Sequence, residues 1–144
     1  MTHTTPTPTV VTFSGGSQFS IQIRSHKLIV DQTVAGGGFD AGPTPLELLG
    51  ASLGSCIAYY IHHFFRSRGL PSDSISVEVT SNQTSQPNRI ESFDVTLNLP
   101  STIPQKYMPL LERVIQSCPA HNTLNLGAEV RVKYENPVLA AAGA

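Results

Sequence analysis

The amino-acid sequence predicts a single domain of the α+β class with the element order βββαββαβ. Three observations support this prediction: apolar and polar residues alternate in segments near both ends, one long apolar helix lies near the middle, and the chain has 144 residues. A chain of this length suits one compact domain and is too short for two ordinary ones. We expect residues 10–135 to form the domain, between flexible tails at residues 1–9 and 136–144.

The N-terminal part of the domain predicts three short strands. Apolar residues occupy every second position over residues 18–23, after the turn sequence at residues 14–17. This alternation is typical of a strand with one buried face and indicates a hairpin. Residues 27–31 predict a third strand, and the glycine-rich run at residues 35–43 predicts an irregular connection to the next element.

The central segment predicts a long helix with clear signals at both ends. Thr44 is a favourable N-cap, Pro45 suits the first helical position, and Glu47 completes a Thr-x-x-Glu capping box. Gly69 provides a left-handed cap and Pro71 prevents the helix from continuing. The predicted helix has about 24 residues, which corresponds to roughly 36 Å.

Small residues form a stripe along this helix. Gly50, Gly54 and Ala58 recur every fourth residue, and such a stripe allows another backbone to approach closely. We expect a second helix there, and a symmetry-related copy of the chain is one source of such a helix. The apolar segment 46–65 also contains Glu47 and other polar residues, which favours a helix buried in protein over one that spans a membrane.

A second hairpin follows the helix. Residues 75–79 and 93–99 each alternate between apolar and polar side chains, and the polar run at residues 81–88 predicts the turn between them.

The C-terminal part predicts one more helix and a closing strand. The helix begins after Pro104, and an apolar face with helical spacing includes Cys118. Pro109 removes one backbone donor and predicts a kink or a delayed start. Residues 128–134 alternate strictly and predict the last strand.

Charge and targeting signals exclude several classes of function. The net charge is −1 and the nine basic residues are scattered, so we expect neither nucleic acid nor an anionic membrane as a partner. The first residues lack the pattern of a secretory signal, and two cysteines do not make a disulfide framework. We therefore expect a cytoplasmic protein.

The two cysteines are the strongest candidates for chemistry. Cys56 and Cys118 each lie on a predicted apolar helix face, and each is either an inert core thiol or a redox group. Cys56 lies too far inside its helix for the dipole to lower its pKa, so a reactive Cys56 requires a cation from elsewhere. The basic candidates are Arg24, His26, His62, His63 and His121.

Two segments resemble the OsmC/Ohr family. Residues 42–56, with the sequence GPTPLELLGASLGSC, resemble its central-helix signature, and residues 118–124, with the sequence CPAHNTL, resemble its second-cysteine motif. The order of the motifs and the βββαββαβ plan agree with the family over residues 10–135.

The resemblance implies an intertwined homodimer whose long central helices lie side by side between antiparallel sheets, with active sites at the subunit boundary. It also implies a thiol-dependent peroxidase in which Cys56 attacks an organic hydroperoxide and Cys118 resolves the product as a disulfide. An external dithiol would then reduce that disulfide. No metal, haem or flavin is implied.

The sequence departs from the organic hydroperoxide branch of that family at two places. Leu46 occupies the position of a glutamate that supports a catalytic arginine there, and Glu47 comes one residue later. The turn that carries this arginine contains none here, and Arg24 is the proposed substitute. The capping box explains Glu47 without catalysis, so both interpretations of Glu47 stay open.

Two alternatives to a peroxidase stay open. A dimer with the same cleft and buried, unreactive thiols would bind a small apolar ligand without changing it. Alternatively, both cysteines are purely structural, which the mid-helix position of Cys56 also allows.

Overall fold

A computed structural model describes residues 6–100 and 103–135 of the chain. The tails predicted at residues 1–9 and 136–144 lie outside these residues, apart from residues 6–9. The strands and helices follow one another in the order β1 Val10–Gly15, β2 Gln18–Ile23, β3 His26–Val30, α1 Pro45–Arg66, β4 Ser76–Ser85, β5 Asn88–Asn98, α2 Met108–Gln116 and α3 Pro119–Leu126. The predicted α+β class is therefore confirmed.

The first three strands form a separate antiparallel sheet in the order β1–β2–β3. Phe19 pairs with Val30 and Ile21 with Leu28, so the alternation seen in the sequence sets the register of this sheet. The third strand begins and ends one residue earlier than predicted. Within the described residues, the sheet makes no substantial contact with a helix or with the second hairpin.

The Asp31 side chain stabilises, through hydrogen bonds, the loop that leads from this sheet to the central helix. Its buried carboxylate accepts hydrogen bonds from the Ser17 hydroxyl and from the backbone N–H groups of Gln32, Phe39 and Ala41. The hydrogen bond from Ser17, against the opposing effect of burial, lowers the pKa of Asp31 to about 2, and the three N–H groups also favour the charged form.

We expect Asp31→Asn to lower the melting temperature at neutral pH by several degrees and to flatten its acid dependence. Because the pKa of Asp31 falls from 3.8 to about 2 on folding, its stabilisation is complete above pH 3.8 and is lost as the pH falls toward 2. Thermal unfolding followed by circular dichroism between pH 7 and pH 2 measures this. Asp40→Asn, in the same exposed loop, is the matched control. Parallel curves for Asp31→Asn and the unchanged protein below pH 4 would contradict the prediction.

Helix α1 begins as predicted. The Thr44 side chain accepts from the N–H of Glu47 at 3.3 Å, and the Glu47 carboxylate accepts from the N–H of Thr44 at 2.7 Å. The helix ends at Arg66, two residues before the predicted end, and Gly69 follows with a left-handed φ of 64°. The capping box therefore forms in full.

The small-residue stripe of α1 faces a strand, which differs from the prediction of a second helix. A Cβ atom on Gly54 would lie 3.0 Å from Val79 Cγ2, and one on Gly50 would lie 3.3 Å from Ser81 Oγ. Both contacts are with β4. The prediction of a second helix against the stripe was wrong. A small residue indicates that a neighbour packs closely, but it does not indicate whether that neighbour is a helix or a strand.

The second hairpin is longer than predicted. Strands β4 and β5 continue to Ser85 and Asn88, so the polar run predicted as a turn is mostly strand. This run forms an arm with exposed polar side chains on it, and Asn82 donates across the strands to Ser92 at 3.0 Å and Asp94 at 2.7 Å. These polar side chains form hydrogen bonds with one another across the two strands. This part of the hairpin is therefore stabilised without alternating apolar residues.

The predicted second helix is divided. A 3₁₀ turn at Gln105–Tyr107 leads into α2, where Pro109 is close to the helix start and so delays it as predicted. Cys118 does not lie within this helix, because Pro119 has no N–H group and cannot continue α2. Cys118 is instead the N-cap of α3.

The closing strand predicted at residues 128–134 has no ladder within the described part of the chain. Its alternating apolar side chains are exposed, with Val130 84% and Tyr134 83% accessible. A strand exists only where a neighbouring backbone pairs with it. Among residues 6–100 and 103–135, this segment therefore has the pattern of a strand and no strand that pairs with it.

The core lies around α1, which packs against β4, α2 and α3. Its buried residues are mostly on α1 and are joined by one residue of α2 and one cysteine: Leu53, Ile57, Ile61, Phe64, Phe65, Leu111 and Cys118. None of the helices in residues 6–100 and 103–135 has both the length and the apolar content that a bilayer crossing requires.

Candidate functional site

The fold brings the two cysteines into contact. Cys118 Sγ lies 2.8 Å from Cys56 Sγ, and both thiols are free. Cys118 is fully buried, whereas Cys56 is partly accessible. The two sulfurs are therefore within reach of a covalent bond, and they belong to residues of different exposure.

Packing of α1 against the two short helices holds this contact. Cys56 lies in the middle of α1 and contacts the core formed by Leu53, Ile57 and Leu111. Cys118 is fixed by its backbone, since its N–H donates to the carbonyl of Ile115 at 3.0 Å as α2 ends. The break between α2 and α3 therefore places Cys118 against the central helix.

The two sulfurs have different environments. Burial, followed by the hydrogen bond to Cys56, raises the pKa of the Cys118 thiol, and the N–H groups of His121 and Ala120 at the start of α3 oppose this. Cys118 therefore keeps its proton and donates it in a hydrogen bond to Cys56 Sγ.

Arg24 is not brought to Cys56 within one chain. It lies in the turn between β2 and β3, with a left-handed φ of 54°, on the sheet that makes no substantial contact with a helix among the described residues. Across the described residues, no hydrogen bond or ion pair joins a basic side chain to either sulfur. The activating role predicted for Arg24 stays a prediction.

Glu47 lies on a different face of α1 from Cys56. It lines an open groove of about 640 Å³ between α1 and β4, together with Gly50 and Gly54. The backbone N–H of Thr44, followed by its hydroxyl, lowers the pKa of Glu47. Its hydrogen bonds are those of a helix cap, and its catalytic role also stays a prediction.

The four histidines of the described residues occupy three separate places, because His62 is next to His63 near the end of α1. His26 is exposed at the start of β3, and His63 stacks on Tyr59 with ring centroids 6.3 Å apart. His121 lies one turn after Cys118, and its Nε2 bonds to Asn125 at 2.9 Å. In the described part of the chain, no three side chains of His, Cys, Asp or Glu are close enough to hold a metal ion.

Sequence reasoning located both cysteines but missed the break that positions Cys118. The signal was present, because a proline directly after a candidate N-cap is typical of a new helix start. Asp31 was also missed as a buried anchor, since nothing in the local sequence shows which N–H groups the loop turns toward it.

These features define a dithiol protein of α+β fold, in which a buried thiol on a short helix contacts a more accessible thiol on a central helix. The family model described as OsmC-like protein matches residues 37–134. The chain therefore belongs to the OsmC-like protein family, as the two cysteine motifs predicted. No curated protein shows significant sequence similarity to it.

Solved structures share the fold at low sequence identity. A Psychrobacter arcticus 273-4 protein named for an osmotic stress induced and detoxification response has a TM-score of 0.75 and 21% identity, covering 85% of this chain and 91% of that one. An OsmC like protein from Mycoplasma pneumoniae has a TM-score of 0.71 and 16% identity, covering 82% and 86%. The organic hydroperoxide resistance protein OsmC from Legionella pneumophila has a TM-score of 0.54 and 19% identity, covering 84% and 91%.

Proposed function

We propose that this chain is a cytoplasmic thiol peroxidase that reduces organic hydroperoxides in defence against oxidative stress. The observation that carries the proposal is the 2.8 Å contact between Cys56 Sγ and Cys118 Sγ, two thiols remote in sequence. Membership of the OsmC-like family supports it, as does the fold shared with a protein from Legionella pneumophila that is named for organic hydroperoxide resistance.

The proposed peroxidase reaction has three steps. The Cys56 thiolate attacks the outer peroxide oxygen, the O–O bond breaks, and a proton converts the leaving alkoxide to an alcohol while Cys56 becomes a sulfenic acid. The Cys118 thiol then attacks the Cys56 sulfur and water leaves, which forms the Cys56–Cys118 disulfide. An external dithiol reduces this disulfide by exchange and is itself oxidised. The cycle requires no metal, haem or flavin.

The environments of the two sulfurs fit the assigned roles. Cys56 is the accessible sulfur, so a hydroperoxide can reach it from solvent. Cys118 is fully buried and its raised pKa keeps it protonated, which protects it from direct oxidation. Contact between the sulfurs means that the second step needs little movement.

The protein in this proposal is an intertwined homodimer. One chain leaves large apolar side chains exposed on the first sheet and on the C-terminal segment, including Phe13 at 63% and Val130 at 84%. Exposed apolar surface of this extent is typical of an interface. In this proposal Arg24 activates a Cys56 across the subunit boundary, since among the described residues its sheet makes no substantial contact with its own α1.

One equivalent of cumene hydroperoxide, added to the fully reduced protein, is expected to consume two thiols per chain. Intact mass spectrometry should show the loss of two hydrogen atoms, and peptide mapping should show Cys56 joined to Cys118. Cumyl alcohol, which lacks the O–O bond, is the matched control and should change nothing. Unchanged thiol content after the peroxide would refute the peroxidase and favour the binding dimer with unreactive thiols.

A further inference from the structure

A second groove lies between α1 and α2 and shares no lining residue with the groove between α1 and β4. Its walls are mostly apolar and are formed by Tyr60 and Phe64 of α1 and by Leu110 and Val114 of α2. The volume is about 280 Å³. This is near the lower limit for a small-molecule site, so the groove suits a ligand the size of a medium-chain carboxylate and not a drug-sized one.

Arg68 is held over the aromatic wall of this groove. Its guanidinium carbon lies 3.8 Å from the centre of the Phe64 ring, and its Nη1 donates to Ser67 Oγ at 3.0 Å and to the Phe64 carbonyl at 3.4 Å. These contacts involve one of its nitrogens, and the remaining donors have no acceptor among the described residues. Arg68 is therefore pre-oriented and still able to bind an anion.

Arg113 adds a second positive charge on the opposite wall. Within residues 6–100 and 103–135, its side chain forms no ion pair or hydrogen bond, and no residue that lines the groove is acidic. The end of the α2 dipole accounts for a basic residue at this position but not for a second arginine across the groove. Two guanidinium groups beside an apolar surface are complementary to a ligand with one anionic end and one apolar end.

We propose that the α1–α2 groove binds a small carboxylate with a short apolar tail. The carboxylate interacts with Arg68 and Arg113, and the tail lies against Phe64, Leu110 and Val114. This site goes beyond the proposed peroxidase activity, because its lining contains neither sulfur and its ligand undergoes no reaction there.

The groove also borders the cysteine pair. Tyr60 lies one helical turn after Cys56, and Ser117, which lines the same groove, directly precedes Cys118. A bound carboxylate therefore contacts both elements that hold the sulfurs, α1 and the end of α2.

Titration of the full-length reduced protein with sodium octanoate, followed by calorimetry in the absence of peroxide, tests the proposal. We expect saturable binding of octanoate that weakens as salt is raised, and about tenfold or more weaker binding of methyl octanoate or acetate. Arg113→Gln should weaken octanoate binding about tenfold or more, whereas Arg113→Lys should weaken it less.

Arg66→Gln is the matched control, because it removes the same charge from the end of α1 but does not line this groove. Backbone amide NMR spectra should show octanoate-dependent shifts at Val114 and Ser117. Equal affinity of Arg113→Gln and the unchanged protein overturns the proposal, as does equal affinity for octanoate and its methyl ester, or no saturation. Because binding and thiol consumption are measured separately, loss of one does not imply loss of the other.

Discussion

Cys56→Ser is expected to reduce peroxide turnover to that of the reaction without protein, whereas Cys118→Ser is expected to preserve the first turnover and stop the second. A serine hydroxyl is a weak nucleophile at neutral pH, so nothing replaces the attacking sulfur in Cys56→Ser. In Cys118→Ser the Cys56 sulfur is still present, but the sulfur 2.8 Å away that resolves the sulfenic acid in the proposed mechanism is missing.

Thiol titration and mass spectrometry measure the oxidation of the two variants, Cys56→Ser and Cys118→Ser. After one equivalent of hydroperoxide, Cys118→Ser should lose one thiol and gain one oxygen atom as Cys56 sulfenic acid, which an excess of peroxide carries to sulfinic acid. Cys56→Ser should keep its remaining thiol, because Cys118 is buried and protonated. If Cys56→Ser is oxidised and Cys118→Ser is not, Cys118 is the attacking cysteine and Cys56 the resolving one, which would contradict the proposed mechanism.

Local signals determined how much of the fold could be predicted. The start of α1 was predicted correctly because Thr44, Pro45 and Glu47 lie within one turn and the capping bonds join neighbours in sequence. The alternation over residues 18–23 predicted the N-terminal hairpin for the same reason, since β2 pairs with strands next to it in sequence.

Contacts between distant segments could not be predicted in this way. The sequence placed Cys118 on an apolar face, but its contact with Cys56 depends on how α1 packs against the junction between α2 and α3. The segment at residues 128–134 has the pattern of a strand, and a pattern does not provide the neighbouring backbone that makes a strand. Arg24 is a similar case, because its role depends on a surface that its own chain does not bring to Cys56.

The small-residue stripe of α1 is another contact between distant segments, because the neighbour of Gly54 is a strand that follows the helix in the sequence. Gly54→Leu is expected to destabilise the protein by about 3 kcal/mol, because overpacking a tight contact displaces backbone as well as side chains. A Cβ atom at this position already lies 3.0 Å from Val79 Cγ2 and 3.9 Å from Val77 Cγ1, so a leucine side chain has to displace β4 or turn into the adjoining groove. Because Gly54 lies two residues before Cys56, a displaced α1 should also slow formation of the Cys56–Cys118 disulfide.

Ala51→Leu is the matched control, since it adds a similar side chain to the exposed part of the same helix and should change stability by less than about 0.5 kcal/mol. Urea unfolding measures the stability of both variants, and analytical ultracentrifugation measures their self-association. If β4 is the neighbour of the stripe, Gly54→Leu lowers the free energy of unfolding of the chain itself. If the neighbour is instead a helix of a second copy, Gly54→Leu leaves the chain as stable as Ala51→Leu and weakens only self-association, which would contradict the packing of α1 on β4.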